Sequence, residues 1–153
     1  MNATSSRFVR DQSVIDREHV RLLAIFHFVA AGMAFLGLLF IVGHYAIFTF
    51  VFWNPEFWSK APKGAGPPPE MFMQLLRGFY IFFGTWCVLS GVANLLSGVF
   101  MRRLQHRTFS MVVAGFNCLH IPLGTILGVF TFVVLGRDPV ARAYAEAAAP
   151  PSA

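Results

Sequence analysis

Residues 77–98, RGFYIFFGTWCVLSGVANLLSG, decide the fold. Steps of three and four from Arg77 reach Tyr80, Gly84, Cys87, Gly91, Asn94 and Gly98, a heptad row of small or polar residues in an otherwise apolar segment. On a membrane helix such a row marks the face that packs against protein, because small side chains let backbones approach closely. Phe79, Ile81, Phe82, Phe83, Trp86, Val88, Leu89, Val92, Leu95 and Leu96 cover the other faces, which are expected to meet lipid.

Working outward, the chain of 153 residues is 56% hydrophobic and only 12% charged, with a mean hydropathy of +0.62. An ordinary soluble domain carries about twice that share of charge. Three segments almost free of charge, 20–53, 72–101 and 108–135, each exceed the roughly 20 residues a helix needs to cross the hydrocarbon core. Alternating barrel strands are absent, so the chain is expected to be all-α, an integral membrane protein with three transmembrane helices. Residues 1–19 form a polar segment without the apolar core and cleavage site of a signal peptide, so the first span is expected to stay attached. Residues 54–71 hold five prolines and two glycines and read as an external loop, with Phe57 and Trp58 dipping into the headgroups. Residues 102–107 form a basic turn, and 136–153 a tail with a short helix from Asp138 and Pro139 to Ala149.

Lys and Arg number 12 against 7 Asp and Glu. No long basic run is present, which argues against a nucleic-acid partner. Arg7, Arg10, Arg17, Arg21, Arg102, Arg103 and Arg107 fall on one side of the membrane and Lys60 and Lys63 on the other, which places the amino terminus in the cytoplasm. Three crossings then send the tail outside, and Arg137 and Arg142 sit badly with that. A re-entrant segment at Pro122 would return the tail to the cytoplasm; a single kinked crossing is the expectation, because two halves of about eleven residues are hard to bury in so small a bundle.

In the first span, the 34 residues would make a straight helix of about 51 Å, so a tilt, a protrusion or a bend near Gly43 and His44 is expected. Val20, Ala24, His27, Ala31, Ala34, Leu38 and Tyr45 form its inward face. The third span repeats the seam as Ser110, Ala114, Asn117, Ile121, Gly124, Gly128 and Thr131. Folded as a tight hairpin, the second and third spans bring Asn94 and Asn117 within about 5 Å of the same depth, where they are expected to hydrogen-bond. Such a pair contributes about 0.6 to 2 kcal/mol, so the glycine seams should supply most of the packing. Pro122 leaves the Cys118 carbonyl without its helical donor.

Candidate chemistry is sparse. Intramembrane histidines invite haem, with His120 the first candidate, yet His27, His120 and His44 lie at about 9, 20 and 35 Å from the cytoplasmic helix ends, too far apart to share one iron within a chain. Cys87 and Cys118 read as small apolar fillers, and no metal ligands recur at helical spacing in the spans. No acid lies in a span to drive a proton relay. Arg77 either reaches the outer headgroups or holds a lipid phosphate or a partner's carboxylate.

The last span, HIPLGTILGVFTFVVL, resembles the closing helix of several groups of small uncharacterised bacterial inner-membrane proteins through Pro122, Gly124, Thr125, Leu127, Gly128, Phe130 and Leu135, with a looser echo in HVRLLAIFHFVAAG at 19–32. The resemblance implies bacterial origin and an inner-membrane location, and no chemistry. The chain is therefore expected to be a non-catalytic accessory subunit of a membrane complex or a homo-oligomer, in contact with membrane lipids and needing neither cofactor nor small-molecule substrate. A haem-binding electron carrier and an oligomeric channel or carrier are the alternatives.

Overall fold

The computed structural model describes residues 3–60, 62, 66, 68 and 70–149, with side chains from Val14 onward. The side chains of Arg7 and Arg10, most of 61–69 with Lys63, and 150–153 lie outside the described residues. All regular structure among the described residues is helical: α1 (Ala3–Phe52), α2 (Pro55–Ser59), α3 (Glu70–Arg102), α4 (Arg107–Asn117), α5 (Leu123–Leu135) and α6 (Asp138–Ala148). Within α1 the stretch Val14–Phe52, and the whole of α3, are long and apolar enough to cross a membrane; α5 and α6 reach that test only as a pair bent by 73°.

The expected bend in α1 does not interrupt it, since the helix continues through Gly43 and His44. Its length is accommodated by extension at the amino end, where the acidic and basic residues from Asp11 to Glu18 are already helical. The chain divides into two units, Met1–Ala31 with Val92–Ala153, and Gly32–Gly91.

In the first unit the third apolar segment is not one helix. The helix stops at Asn117 and restarts at Leu123, and the two halves lie against each other. Nε of Arg107 at the start of α4 donates to the carbonyl of Leu135 at the end of α5, 2.8 Å away. Segment 108–135 is thus a helical hairpin, where one kinked helix was expected. Halves of 11 and 13 residues reach only about 16–20 Å, well short of a hydrocarbon core of about 30 Å. Pro122 cannot donate to Cys118, and the hydroxyl of Thr125 supplies the missing bond at 2.9 Å. The turn adds His120 N–H to the Asn117 carbonyl at 2.9 Å and Gly124 N–H to that of His120 at 2.8 Å. Leu119, Ile121 and Leu123 at the tip stay exposed.

Gly124 and Gly128 allow this close pairing. A Cβ at Gly124 would collide with the Asn117 carbonyl, and one at Gly128 with the Ala114 carbonyl and the Cys118 sulfur. The glycines of the third segment therefore join its own halves. Beneath the hairpin, Val20, Leu23, Ala24, Met101, Val134, Leu135, Val140 and Tyr144 form the core, so α6 folds back onto the start of α1 and the end of α3. Arg137 is the N-cap of α6. Its guanidinium donates to buried Asp16 at 2.9 Å.

In the second unit the glycine seam of α3 receives side chains of α1. The Phe35 ring lies 3.0 Å from the Cβ position of Gly91, Leu38 covers Gly84 at 3.8 Å, and Cys87 approaches Gly37 at 3.6 Å. In the first unit Phe28 covers Gly98 in the same way, at 2.9 Å. The seam is a packing face as expected, but its glycines accommodate aromatic and aliphatic side chains of α1, and the third segment meets it at Asn94.

Gly128→Ala should destabilise the fold by about 1–3 kcal/mol, the usual cost of overpacking. Gly78→Ala, with nothing within 4 Å, should be near neutral. Reversible unfolding in mild detergent measures both; equal effects would contradict the close pairing of α4 with α5.

Candidate functional site

The first unit gathers the polar side chains. On α1 the buried positions Asp16, Val20, Leu23, Ala24, His27 and Ala31 recur every three or four residues. That is the predicted inward face, extended one turn toward the amino end. Asn94 and Asn117 bond reciprocally: Nδ2 of Asn94 donates to Oδ1 of Asn117 at 3.0 Å, and Nδ2 of Asn117 donates back at 2.8 Å. Both are buried, so the pair clamps α4 to α3 where a one-sided loss would strand an amide in an apolar setting.

Around this clamp the remaining polar groups turn inward on the backbone. Nδ1–H of His27 donates to the Leu23 carbonyl at 3.0 Å, and Thr131 donates to that of Leu127 at 2.7 Å. Nε2 of His27 and the hydroxyls of Ser97 and Ser110 are buried with no partner among the described residues. His120, the haem candidate, stands at the hairpin turn with Nδ1 3.3 Å from the Phe116 carbonyl, while His27 is fully buried. Among the described residues no three His, Cys, Asp or Glu side chains cluster as metal ligands.

In α6 the Tyr144 hydroxyl is also buried without a partner among the described residues. Burial pushes its pKa up to about 12, and the nearby Arg107 charge offsets part of that.

The second unit places the other predicted residues. Tyr80 shares a hydrogen bond with Nδ1 of His44, and its ring lies 5.0 Å from that of Tyr45. Sequence reasoning placed His44 only at the expected bend and too far from the other histidines to share an iron; an aromatic and a histidine facing each other across two antiparallel helices were the available signal. Arg77 lines an open cleft with Trp53, Trp58, Glu70 and Gln74. Nδ1 and the phenol make a polar contact, and Arg77 presents a cation; neither arrangement contains an activated nucleophile. The Asp16–Arg137 pair also went unforeseen, because it exists only if 108–135 doubles back.

Replacing Asn94 or Asn117 singly by Ala should each cost about 1–2 kcal/mol, with the double variant less than additive by about 0.6–2 kcal/mol. A double-mutant cycle that closes additively would contradict the reciprocal pair. Tyr144 has a folded pKa above its ordinary 10.0, so its stabilising effect is intact below pH 10 and is lost as pH rises toward 12. Tyr144→Phe should be neutral below pH 10 and should flatten that alkaline slope; an unchanged slope would contradict the burial of the phenol.

Comparison with protein-family models, with curated proteins and with solved structures finds no match for this chain.

Proposed function

We propose that this chain is a non-catalytic integral protein of a bacterial inner membrane, an accessory subunit that works by assembling with other membrane subunits or with a second copy. α1 and α3 cross the bilayer, 108–135 dips in as a hairpin and returns, and both ends lie in the cytoplasm. The pairing of Asp16 with Arg137 supports that topology by holding the start of α6 beside the start of α1. Charge supports it as well. With two crossings, Arg137 and Arg142 join Arg7, Arg10, Arg17, Arg21, Arg102, Arg103 and Arg107 on one side, against Lys60, Lys63 and Arg77 on the other. The conflict raised by a three-span reading disappears.

The observation that carries assembly lies on the outer face of α1. Gly32, Leu36, Leu39, Gly43 and Ala46 recur at heptad spacing, and a Cβ at Gly32 or Gly43 would meet nothing within 4 Å. Small residues on an uncovered membrane face expose backbone that lipid chains pack poorly, and a neighbouring helix packs well.

Native mass spectrometry of the protein extracted gently from its own membrane tests this reading. An assembly that Gly32→Ile and Gly43→Ile together disrupt is the expected result. A monomer alone, or an assembly indifferent to those changes, would overturn it, and a Soret band with a matching mass excess would replace it by the haem reading. Topology has its own check: a fluorescent protein fused after Ala153 should glow, and alkaline phosphatase fused there should be inactive. Active phosphatase would contradict the cytoplasmic tail.

A further inference from the structure

The Gly32–Gly91 unit contains a cleft of about 560 Å³ where the apolar helices end. Phe52, Trp53 and Trp58 form one wall, and Glu70, Gln74 and Arg77 the other. The last three sit at i, i+4 and i+7 of α3, so they share one helix face, with Glu70 and Arg77 about 10.5 Å apart along the axis. Long side chains on such a row converge on a group between them. Trp58 is held in place: its indole N–H donates to the Phe52 carbonyl at 3.1 Å, and its ring lies 5.7 Å from that of Phe52. The one ion pair among the described residues is Asp16–Arg137, which leaves the Arg77 guanidinium and the Glu70 carboxylate available.

We propose that this cleft binds the headgroup of a zwitterionic phospholipid, with its phosphate on Arg77 and its ammonium between Glu70 and the tryptophan faces. The inference rests on α1 and α3 spanning a bilayer. Arginine grips phosphate oxygens with a planar fork. An ammonium is attracted both to a carboxylate and to an indole face within about 6 Å. One cation, one anion and an aromatic wall match a head that carries both charges, whereas a purely anionic head would face Glu70. Gln74 lies between the two charges, where its amide can donate to phosphate oxygens. An arginine that merely reached toward water would need none of these companions.

The full-length protein, purified in mild detergent and stripped of lipid, is offered equal phosphatidylethanolamine and phosphatidylglycerol with identical acyl chains and read by native mass spectrometry. The wild type should retain phosphatidylethanolamine about tenfold better, the equivalent of one charge-assisted contact. Arg77→Gln should lower that retention about tenfold, and Glu70→Gln should shift preference toward phosphatidylglycerol, with helical content unchanged in both. Equal retention of the two lipids by the wild type, retention unaffected by Arg77→Gln, or a preference unaffected by Glu70→Gln would each overturn the proposal. Carbonate extraction of the wild type tests the membrane reading separately: release from the membrane would sink that reading, while firm retention with no lipid preference would sink the headgroup site alone.

Discussion

A backbone that reverses direction has to replace the helical bonds it gives up, and the turn of the hairpin at 108–135 replaces several of them from the chain itself. Pro122 breaks the ladder; Thr125 repairs it at Cys118, and Arg107 caps the far end at Leu135. Gly124 and Gly128 let the two halves approach until their backbones touch. Once the segment doubles back, α6 must return to the level at which α4 began. Tyr144 and Val140 then enter the core beside Val20 and Met101, and Arg137 reaches Asp16. The core and the Asp16–Arg137 pair both follow from that reversal.

Helical class and the inward face of α1 were legible because each rests on local periodicity. The row Val20, Ala24, His27, Ala31 is read from spacing alone, and so is the Asn94–Asn117 match, which depends only on distance from the basic turn. The fate of 108–135 was not legible in the same way. A segment of 28 residues without a charged side chain satisfies the length rule for a span whether it runs straight or folds back. The decisive residues, Pro122, Gly124, Thr125 and Gly128, were all noticed, but each also suits a kinked helix. What separates the two outcomes is a contact remote in sequence, Arg107 with Leu135, and the pairing of Asp16 with Arg137 across 121 residues. The turn into α4 is similarly quiet: Leu104 and His106 take positive φ of 51° and 48°, and neither is the glycine that usually announces such a conformation.

The polar interior mainly holds the fold. Asn94, Asn117 and Asp16 each engage another part of the chain, while the outward faces of α1 and α3 carry Leu36, Leu39, Phe40, Phe79, Ile81 and Phe82 in the open. The exposed apolar faces of α1 and α3 are the surfaces on which the proposed assembly and lipid recognition would act.

The distance between the two ends of the hairpin tests the account most directly. Spin labels at Phe109→Cys and Val133→Cys, with Cys87 and Cys118 replaced by Ser, would be measured in reconstituted bilayers by electron–electron resonance. Paired helices lie about 8–10 Å apart, so strong short-range coupling is the predicted result. A separation near 36 Å, the length of a straight helix over those 24 residues at about 1.5 Å each, would contradict the hairpin and the shared side of the two termini with it.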